Sequence, residues 1–430
     1  MEVLIRFHRI SLTGRRPDHE PGGGRSAGAR SGAPPPPRSV TVTTYPPPRP
    51  SATQVPPAYE ELRAGCPVAR VTLPSGDPGY LVSRYEDVRE VLGGADFSRA
   101  ATVLPEAPKL TAMPFDAGGL FTLDPPEHTR LRALVTAEFT AGRVRALRPR
   151  IEQAAERLVD EMITAGEGVD LIGAYAFPLP AFVICELLGV PYEDRDRFRG
   201  WSDALLSLTA HSPEVMRANR DELVGYLADL VGAKRLEPGD DLLSALVQAH
   251  DEHGSLSHLE LLTMAMTLLV AGHETTAGMI GTCAFTLLRE PDGFAALLRR
   301  PASVVEELLR YNPMGDGGPL RVTLRDTEVA GVPIPANSAV IASICSANRD
   351  ERVFPDADSF RPGRPGPSHL AFGHGVHHCL GAPLARAELE IALTTLARAL
   401  PKLRLAVPEQ DITMHTGLLV NRLTALPVTW

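Results

Sequence analysis

The sequence predicts a mainly helical α+β protein that folds as one large domain. Apolar residues recur at helical spacing over most of residues 127–399, whereas strand-like runs occur only near residues 68–83 and after residue 320. The 430 residues are 44% hydrophobic and 22% charged, which is enough apolar sequence to bury a large core without disulfides. No linker-like stretch interrupts the chain after residue 57, so we expect a single domain.

The first 57 residues differ in composition from the rest. Residues 11–57 are crowded with Gly, Pro, Arg and Ser, including PPPP at residues 34–37, and such a composition cannot bury a core. We therefore predict a disordered tail at residues 1–57 and a folded domain at residues 58–430. A docking arm for a partner and a misassigned translation start are the alternative interpretations of this tail.

The folded part begins with strand-like pieces and continues with helices. VARVTL at 68–73 and GYLVS at 79–83 have strand character, and an amphipathic run begins near Glu86. Strands return around residues 320–345 and 403–428. Helical periodicity predicts helices over residues 127–139, 143–165, 178–188, 214–234, 240–252, 257–289, 293–299, 301–311 and 382–399.

The helix predicted at residues 257–289 is the longest, and we expect it to be central and mostly buried. Ser257 and Glu260 have the spacing of a capping box at its start. Its middle contains AGHETT, residues 271–276, where a glycine and adjacent hydroxyl residues weaken regular helical hydrogen bonding. Other contacts must compensate for the helix stability that these residues cost.

Charge and cysteine content exclude several classes of protein. The net charge is −9, and residues 1–50 are rich in arginine, so the folded part is more acidic than the whole chain. An acidic body disfavours nucleic-acid binding. The five cysteines form no CxxC pair that could hold zinc, which fits a reducing cytosol. Because no apolar stretch reaches the length of a membrane span, we expect a cytoplasmic protein without a membrane anchor.

The most specific local pattern is FGHGVHHCLGA at residues 372–382, where glycines flank one cysteine and a predicted helix follows. Glycine lets the backbone approach a flat ligand closely. A cysteine beside a helix N-terminus has its thiolate stabilised by backbone N–H groups and the helix dipole. Cys379 is thus a candidate metal ligand, and a buried cysteine in a glycine-rich turn is the alternative. The remaining cysteines are expected to be packing residues: Cys66, Cys185, Cys283 and Cys345.

This loop resembles the haem-ligand loop of the cytochrome P450 family, FGxGxHxCxG, at every defining position: Phe372, Gly373, Gly375, His377, Cys379 and Gly381. The resemblance covers roughly residues 58–430, and it implies the P450 fold for this catalytic domain. It also implies haem b as the cofactor, with Cys379 as the axial ligand of the iron. Phe372, Gly373 and Gly381 would then lie against the haem.

A second segment, VVEELLRY, resembles the ExxR motif of the family. Its Glu307 and Arg310 stand at i and i+3 of a predicted helix, where they can pair. The family completes the pair with an arginine just before Phe360, but this chain has Ser359 there. The resemblance therefore leaves Arg361 or Arg364 as the substitute.

Four further residues occupy the positions that bind the haem propionates in the family. His128 and Arg132 are four residues apart in LDPPEHTRLR and would share a helix face, directing two donors at one anion. Arg321 in PLRVTL and His377 resemble the residues that bind the other propionate. Taken singly, each is more commonly an ordinary surface residue.

The AGHETT segment resembles the helix that crosses the haem in the family. The resemblance places Ala271 and Gly272 beside the haem and assigns Glu274 and Thr275 to opening the helix and relaying protons to bound dioxygen. Dioxygen cleavage consumes protons, and a carboxylate next to a hydroxyl can supply them through water. We interpret the neighbouring His273 as structural.

The resemblance implies a monooxygenase that hydroxylates or epoxidises a hydrophobic small molecule. Electrons from NAD(P)H would arrive through a ferredoxin reductase and a ferredoxin, which would dock on a basic patch for which Arg143, Arg145, Arg148 and Arg386 are candidates. The closing GLLVNRLTALPVTW and the ANRD at 347–350 resemble actinomycete members that tailor natural products, including antibiotics. We expect a monomer that contacts its substrate through segments 110–120, 201–213, 264–272, 313–320 and 415–419.

Two alternative functions remain open. One is a haem-thiolate oxidase that couples phenolic rings or uses peroxide. The other is a haem sensor or binding protein without catalysis, which the presence of both Glu274 and Thr275 disfavours.

Overall fold

A computed structural model describes residues 44–51, 54–111, 113, 116–252, 254–315 and 318–430. Helices dominate this part of the chain, and a π-helical turn at Ile172–Ala176 precedes the fifth of them. In chain order the helices are α1 (Ala58–Gly65), α2 (Tyr85–Gly93), α3 (Glu127–Thr136), α4 (Ala141–Ala165), α5 (Pro178–Leu188), α6 (Arg195–Leu205), α7 (Pro213–Leu236), α8 (Leu242–Asp251), α9 (His258–Arg289), α10 (Gly293–Arg299), α11 (Pro301–Tyr311), α12 (Ile344–Ala347) and α13 (Ala382–Ala399).

The strands form a small sheet region. They are β1 (Val68–Thr72), β2 (Pro78–Val82), β3 (Phe97–Ser98), β4 (Val169–Asp170), β5 (Leu320–Thr323), β6 (Thr327–Val329), β7 (Val332–Ile334), β8 (Ala339–Ala342), β9 (Arg404–Leu405) and β10 (Pro427–Thr429). Five of them make one sheet in the order β1-β2-β8-β5-β3, three make a second in the order β4-β10-β9, and β6 pairs with β7. Only β2 and β8 are parallel, with Leu81 opposite Ile341. The predicted fold class is confirmed.

The long helix α9 is the centre of the main core. Most of its side chains are buried, and α5, α7, α8, α10, α11 and α13 pack against it. The predicted capping box is present, because the Glu260 backbone N–H donates to Ser257 Oγ and the Ser257 N–H donates to Glu260 Oε2 at 2.7 Å. A helix that is apolar on nearly every side needs this surrounding ring of helices to stay folded in water.

The predicted helices match α5, α10, α11 and α13 at both ends, but α6 was missed. The α6 sequence, RDRFRGWSDAL, has few apolar residues, and four of its first five residues are charged. The helical periodicity of its apolar residues is therefore weak. It nevertheless buries Phe198 and Trp201, one turn apart, and the Arg197 guanidinium covers the Trp201 ring at 4.8 Å. A cation–π contact of this kind stabilises the helix in addition to the burial of its few aromatic side chains.

The packed part of the chain begins before residue 58, which is where the composition placed the boundary between tail and domain. Residues 1–43 of the predicted tail lie outside the described residues, but Thr44 bridges to Thr72 of β1. Tyr45 is 6% exposed, and its hydroxyl accepts a hydrogen bond from the Gly318 backbone N–H at 3.0 Å. One aromatic side chain with a bonded hydroxyl thus anchors a segment whose composition alone predicts disorder.

A buried ion pair lies where α11 meets the loop after α12. Arg310 binds Glu307 through two hydrogen bonds, Nε to Oε2 and Nη2 to Oε1, each 2.8 Å long, and the two side chains are 3% and 4% exposed. Arg310 Nη1 also donates to the carbonyls of Asn348 at 2.9 Å and Ala357 at 2.8 Å. The ion pair therefore fixes two distant points of the following loop.

Arg364 supplies the third side chain of this network. Its Nε lies 3.4 Å from Glu307 Oε1, and its Nη2 donates to the Ser359 carbonyl at 2.8 Å. The backbone N–H of Arg361 donates to the same Glu307 oxygen at 2.8 Å, whereas the Arg361 side chain pairs with Asp356. Of the two arginines left open by the sequence, Arg364 contributes its guanidinium and Arg361 its main chain.

We expect Glu307→Gln to lower the free energy of unfolding by about 3–5 kcal/mol, because it leaves buried guanidinium charge without its counter-ion. Urea unfolding followed by circular dichroism measures this change. The control is Glu86→Gln, which breaks an exposed pair with Arg89 at the same i, i+3 spacing and should cost less than about 1 kcal/mol. Equal losses in the two variants would show that burial of the Glu307 pair adds nothing.

Candidate functional site

The Cys379 loop lies between a 3-10 turn at Gly375–His377 and the start of α13. The Cys379 backbone N–H donates to the Phe372 carbonyl at 2.9 Å, which closes the loop. Gly375 has a φ of +75°, and a Cβ there would lie 2.8 Å from the Cα of Gly93 at the end of α2. Only glycine permits both this conformation and this close approach.

The environment of the Cys379 thiol suits a metal-bound thiolate. Burial raises the pKa of this thiol, while the backbone N–H groups of Gly381 and Ala382 and the charges of Arg132 and Arg386 oppose that shift. A thiolate at this position would therefore meet oriented N–H groups at the start of α13, as the sequence predicted.

The predicted haem-propionate residues of α3, β5 and the Cys379 loop come together in the structure. The rings of His128 and His377 are 4.3 Å apart between centroids. Arg321 is 2% exposed, and its Nη1 donates to the carbonyl of its neighbour Leu320 at 3.2 Å. Burial lowers the pKa of His128 to about 4, with His377 and Arg132 adding to that shift. Arg132 itself donates to the His378 carbonyl at 2.7 Å.

Two residues of this cluster, Arg99 and Asp124, were not identified from the sequence. The Asp124 carboxylate accepts the Arg99 backbone N–H at 2.9 Å and the Ser98 hydroxyl, and it lies 3.9 Å from His377 Nε2. Burial raises the pKa of Asp124, but the nearby His377 imidazole and these hydrogen bonds outweigh it and hold the pKa well below its usual range. Asp124 precedes His128 by one helical turn, which is the only sequence cue.

The cluster carries more positive than negative charge. Burial lowers the pKa of Arg99 to about 10, and both burial and Arg99 lower the pKa of Arg321, with Asp124 opposing. One carboxylate thus faces the half-buried guanidinium group of Arg99, the buried one of Arg321 and two imidazoles. Buried charges are normally balanced, so this arrangement fits a ligand that brings carboxylates of its own.

In the middle of α9, the Thr275 and Glu274 side chains of AGHETT bind different partners. Thr275 Oγ1 donates to the Ala271 carbonyl at 2.8 Å, and α9 is continuous at this point instead of opening as the resemblance implied. Glu274 is 2% exposed and accepts a hydrogen bond from Arg422 Nη1 at 3.0 Å. Arg422, in the C-terminal segment, is a further partner that sequence patterns did not indicate.

Gly272 and its neighbours pack against α5. A Cβ on Gly272 would lie 2.5 Å from Ile184 Cδ1, so the glycine lets α9 and α5 approach each other closely. Its predicted place beside a haem stays a prediction. The structure thus gives a packing reason for a glycine inside this continuous helix.

Comparisons with known proteins decide the family. The cytochrome P450 family model matches residues 302–422. The chain is 47% identical to nocardicin C N-oxygenase of Nocardia uniformis subsp. tsuyamanensis over 90% of this chain and 98% of that protein. The chain belongs to the cytochrome P450 family. It is also 46% identical to the mycinamicin IV hydroxylase/epoxidase of Micromonospora griseorubida, over 86% of this chain and 94% of that protein.

Solved structures agree with this assignment. A mutant of the mixed-function P450 MycG in complex with mycinamicin IV superposes with a TM-score of 0.81 at 45% identity, covering 90% of this chain and all of the other. Like the P450 monooxygenases it resembles, the protein uses haem and O2, with electrons that come from NAD(P)H through redox partners.

The residues of this P450 fit haem. Among the described residues, no group of three or more His, Cys, Asp and Glu side chains could hold a metal ion. The Cys379 thiol would supply one axial ligand, and the Arg321 cluster would meet the propionates. In the described part of the chain, no helix is both long and apolar enough to cross a membrane.

We expect Arg321→Met to release haem about 10- to 100-fold faster, because a propionate would lose a charge-assisted hydrogen bond of about 1.5–3 kcal/mol. Haem transfer to excess apomyoglobin, followed by the Soret absorbance, measures the rate. Arg325→Met is the matched control, since Arg325 is 73% exposed and pairs with Asp96 on the surface. Identical rates for both variants would remove Arg321 from the haem site.

Proposed function

We propose that this P450 hydroxylates or epoxidises a hydrophobic natural product, with Cys379 as the axial thiolate. The observation that carries the proposal is the position of the Cys379 thiol just before α13, combined with the cation-rich cluster around Arg321, which suits two propionates. Haem, once bound, supplies O2 activation, with the thiolate directing electron density towards O–O cleavage.

In this reaction the side chains of the AGHETT segment would supply the protons. Inserting one oxygen atom of O2 into a C–H or C=C bond releases the other as water and consumes two electrons and two protons. In our proposal Thr275 and Glu274 deliver those protons. Their side chains do not contact each other directly, because Thr275 donates to Ala271 and Glu274 is held by Arg422. Water between them would complete the relay.

The substrate in this proposal is hydrophobic, and it would contact the segments named from the sequence. Two of them, at the end of α6 and in the C-terminal segment, are joined by main-chain hydrogen bonds, since the Gly417 carbonyl accepts the N–H groups of Leu208 at 2.7 Å, Thr209 at 3.0 Å and Ala210 at 3.2 Å. Phe115, within segment 110–120, lies outside the described residues. The relatives are named for nocardicin C and mycinamicin IV, and a tailoring reaction on such a product is our proposal here.

The redox partners in this proposal are a ferredoxin and its reductase. Of the arginines suggested for docking, Arg143 pairs with Glu138, Arg148 with Glu390 and Arg386 with Glu306. Each guanidinium is therefore partly neutralised, and a ferredoxin carboxylate would have to compete for it. We further propose a monomer that acts in the cytoplasm.

The carbon monoxide difference spectrum of the reduced protein tests the axial ligand. We expect a strongly red-shifted Soret band for the wild type and its loss in Cys379→Ala, because only a thiolate donates that much electron density to the iron. Cys345→Ala, at a buried cysteine of the sheet region, is the control and should keep the band. An imidazole-like band in the wild type would contradict the proposed ligand.

We expect Thr275→Ala to uncouple electron use from product formation, because protons then reach the wrong oxygen and peroxide leaves. The measurement is hydrogen peroxide formed per NADPH oxidised, with a plant-type ferredoxin and reductase. The substrate is whichever of mycinamicin IV, nocardicin C and related natural products shifts the Soret band most. Peroxide yield should rise about 10-fold or more. Thr282→Ala, which removes the same bond to a carbonyl four residues earlier in α9, is the control.

A further inference from the structure

A buried histidine stands directly before the proposed acid of the relay. His273 is fully buried, at 0% exposure, and its Nδ1 lies 2.6 Å from the Leu269 carbonyl. A carbonyl oxygen can only accept, so Nδ1 carries a hydrogen and donates it. This bond fixes the ring and leaves Nε2 as the nitrogen that can gain or lose a proton.

The Nε2 atom of His273 lies between a hydroxyl and a carboxylate. Ser202 Oγ of α6 is 3.2 Å away, and Glu274 Oε1 is 3.4 Å away. The other carboxylate oxygen, Oε2, accepts from Arg422. Oε1 is buried without a hydrogen-bond partner in the described part of the chain, which makes it the oxygen of Glu274 that is available to take a proton.

Charged groups from two elements surround this pair. Arg199 and Asp203 come from α6, His415 and Arg422 from the C-terminal segment, and Arg422 also pairs with Asp203 at 2.7 Å. Burial raises the pKa of Glu274, but the facing His273 and the charges of Arg422 and Arg199 outweigh it, so the pKa lies below its usual value. A carboxylate in that position holds no proton of its own at neutral pH.

We infer that His273 is a positioning residue for proton delivery, holding one proton in common with Glu274 between Nε2 and Oε1. The inference rests on the proposed function, in which Glu274 feeds protons towards the haem. Imidazole is the side chain that changes charge closest to neutral pH, and it can therefore store the proton that the carboxylate cannot. With the proton present, the pair and the Arg422–Asp203 pair sum to zero charge, which suits a buried site.

The proton transfer balances without any redox change. The Nε2–H bond of the imidazolium breaks as the Oε1–H bond of the carboxylic acid forms, and the net charge of the pair is unchanged. When Glu274 passes the proton on, the Oε1–H bond breaks and the pair is left as imidazole and carboxylate. A proton from solvent then restores it for the next turnover, which the overall reaction already requires.

A histidine that only fills space would behave differently from one that shares a proton. Its titration would not respond to the charge of Glu274, and an amide of similar size would replace it without loss. His273→Gln offers such an amide, since glutamine reaches both neighbours but takes up no proton. His250→Gln is the matched control. His250 Nδ1 also contacts a backbone carbonyl, that of Leu256 at 2.7 Å, and its Nε2 lies 3.7 Å from the following acid, Asp251, but it belongs to α8.

The first experiment follows the ring nitrogens of His273 by NMR in the diamagnetic ferrous carbon monoxide complex. Signals lost in His273→Gln identify the residue. We expect the His273 signals at neutral pH to be those of a ring protonated on both nitrogens in the wild type and of a neutral ring in Glu274→Gln, because the carboxylate charge that stabilises the imidazolium is then gone. A neutral ring in the wild type, or the same signals in both proteins, would overturn the inference.

The second experiment measures product formed per NADPH as a function of pH. Because the shared proton is lost as pH rises, coupling in the wild type should fall towards alkaline pH, whereas His273→Gln should be about 10- to 100-fold less coupled and flat with pH. A His273→Gln profile like that of His250→Gln would overturn the inference. Unchanged coupling in Glu274→Gln and Thr275→Ala would instead overturn the proposed relay, so the two failures are distinguishable.

Discussion

The buried ion pair between Glu307 and Arg310 determines where the Cys379 loop lies. Arg310 donates to the Asn348 carbonyl, and the Asn348 side chain accepts the Leu370 backbone N–H at 2.7 Å. The Leu370 carbonyl in turn accepts the Gly373 N–H at 2.8 Å. These hydrogen bonds connect the charge pair on α11 to the loop that carries the Cys379 thiol. The charge pair thus positions a thiol more than sixty residues later in the chain. Buried charge pairs contribute this kind of specificity more than they contribute net stability.

Charge is distributed very differently on the two sides of the proposed haem site. The cluster around Arg321 has more positive than negative charge, which would suit the carboxylates of a ligand. The group around Glu274 is close to neutral, because Arg422 pairs with both Glu274 and Asp203. An excess charge binds an anion firmly, and a balanced set lets a proton move at little electrostatic cost. In the proposed site, the same residue types would therefore hold the cofactor on one side and transfer protons on the other.

Sequence reasoning reached the parts that depend on local order. Helical periodicity located α5, α10, α11 and α13, and motif spacing brought His128, Arg321 and His377 to one place. It missed partners that only the fold brings together, because the Arg422–Glu274 bond joins residues 148 positions apart and no spacing encodes such a pair. The weak period of α6 hid Ser202 as well, and with it the reason to regard His273 as more than a packing residue.

The seam between α6 and the C-terminal segment is built from main chain. Gly417, at a φ of +74°, brings its carbonyl to three successive N–H groups, and a Cβ there would lie 2.7 Å from Thr209 Oγ1. Main-chain bonds do not depend on which side chains flank them, so the neighbouring residues can be exchanged while the seam stays joined. Gly417 is the fixed point, and the positions around it form a natural set for a combinatorial library aimed at new substrates.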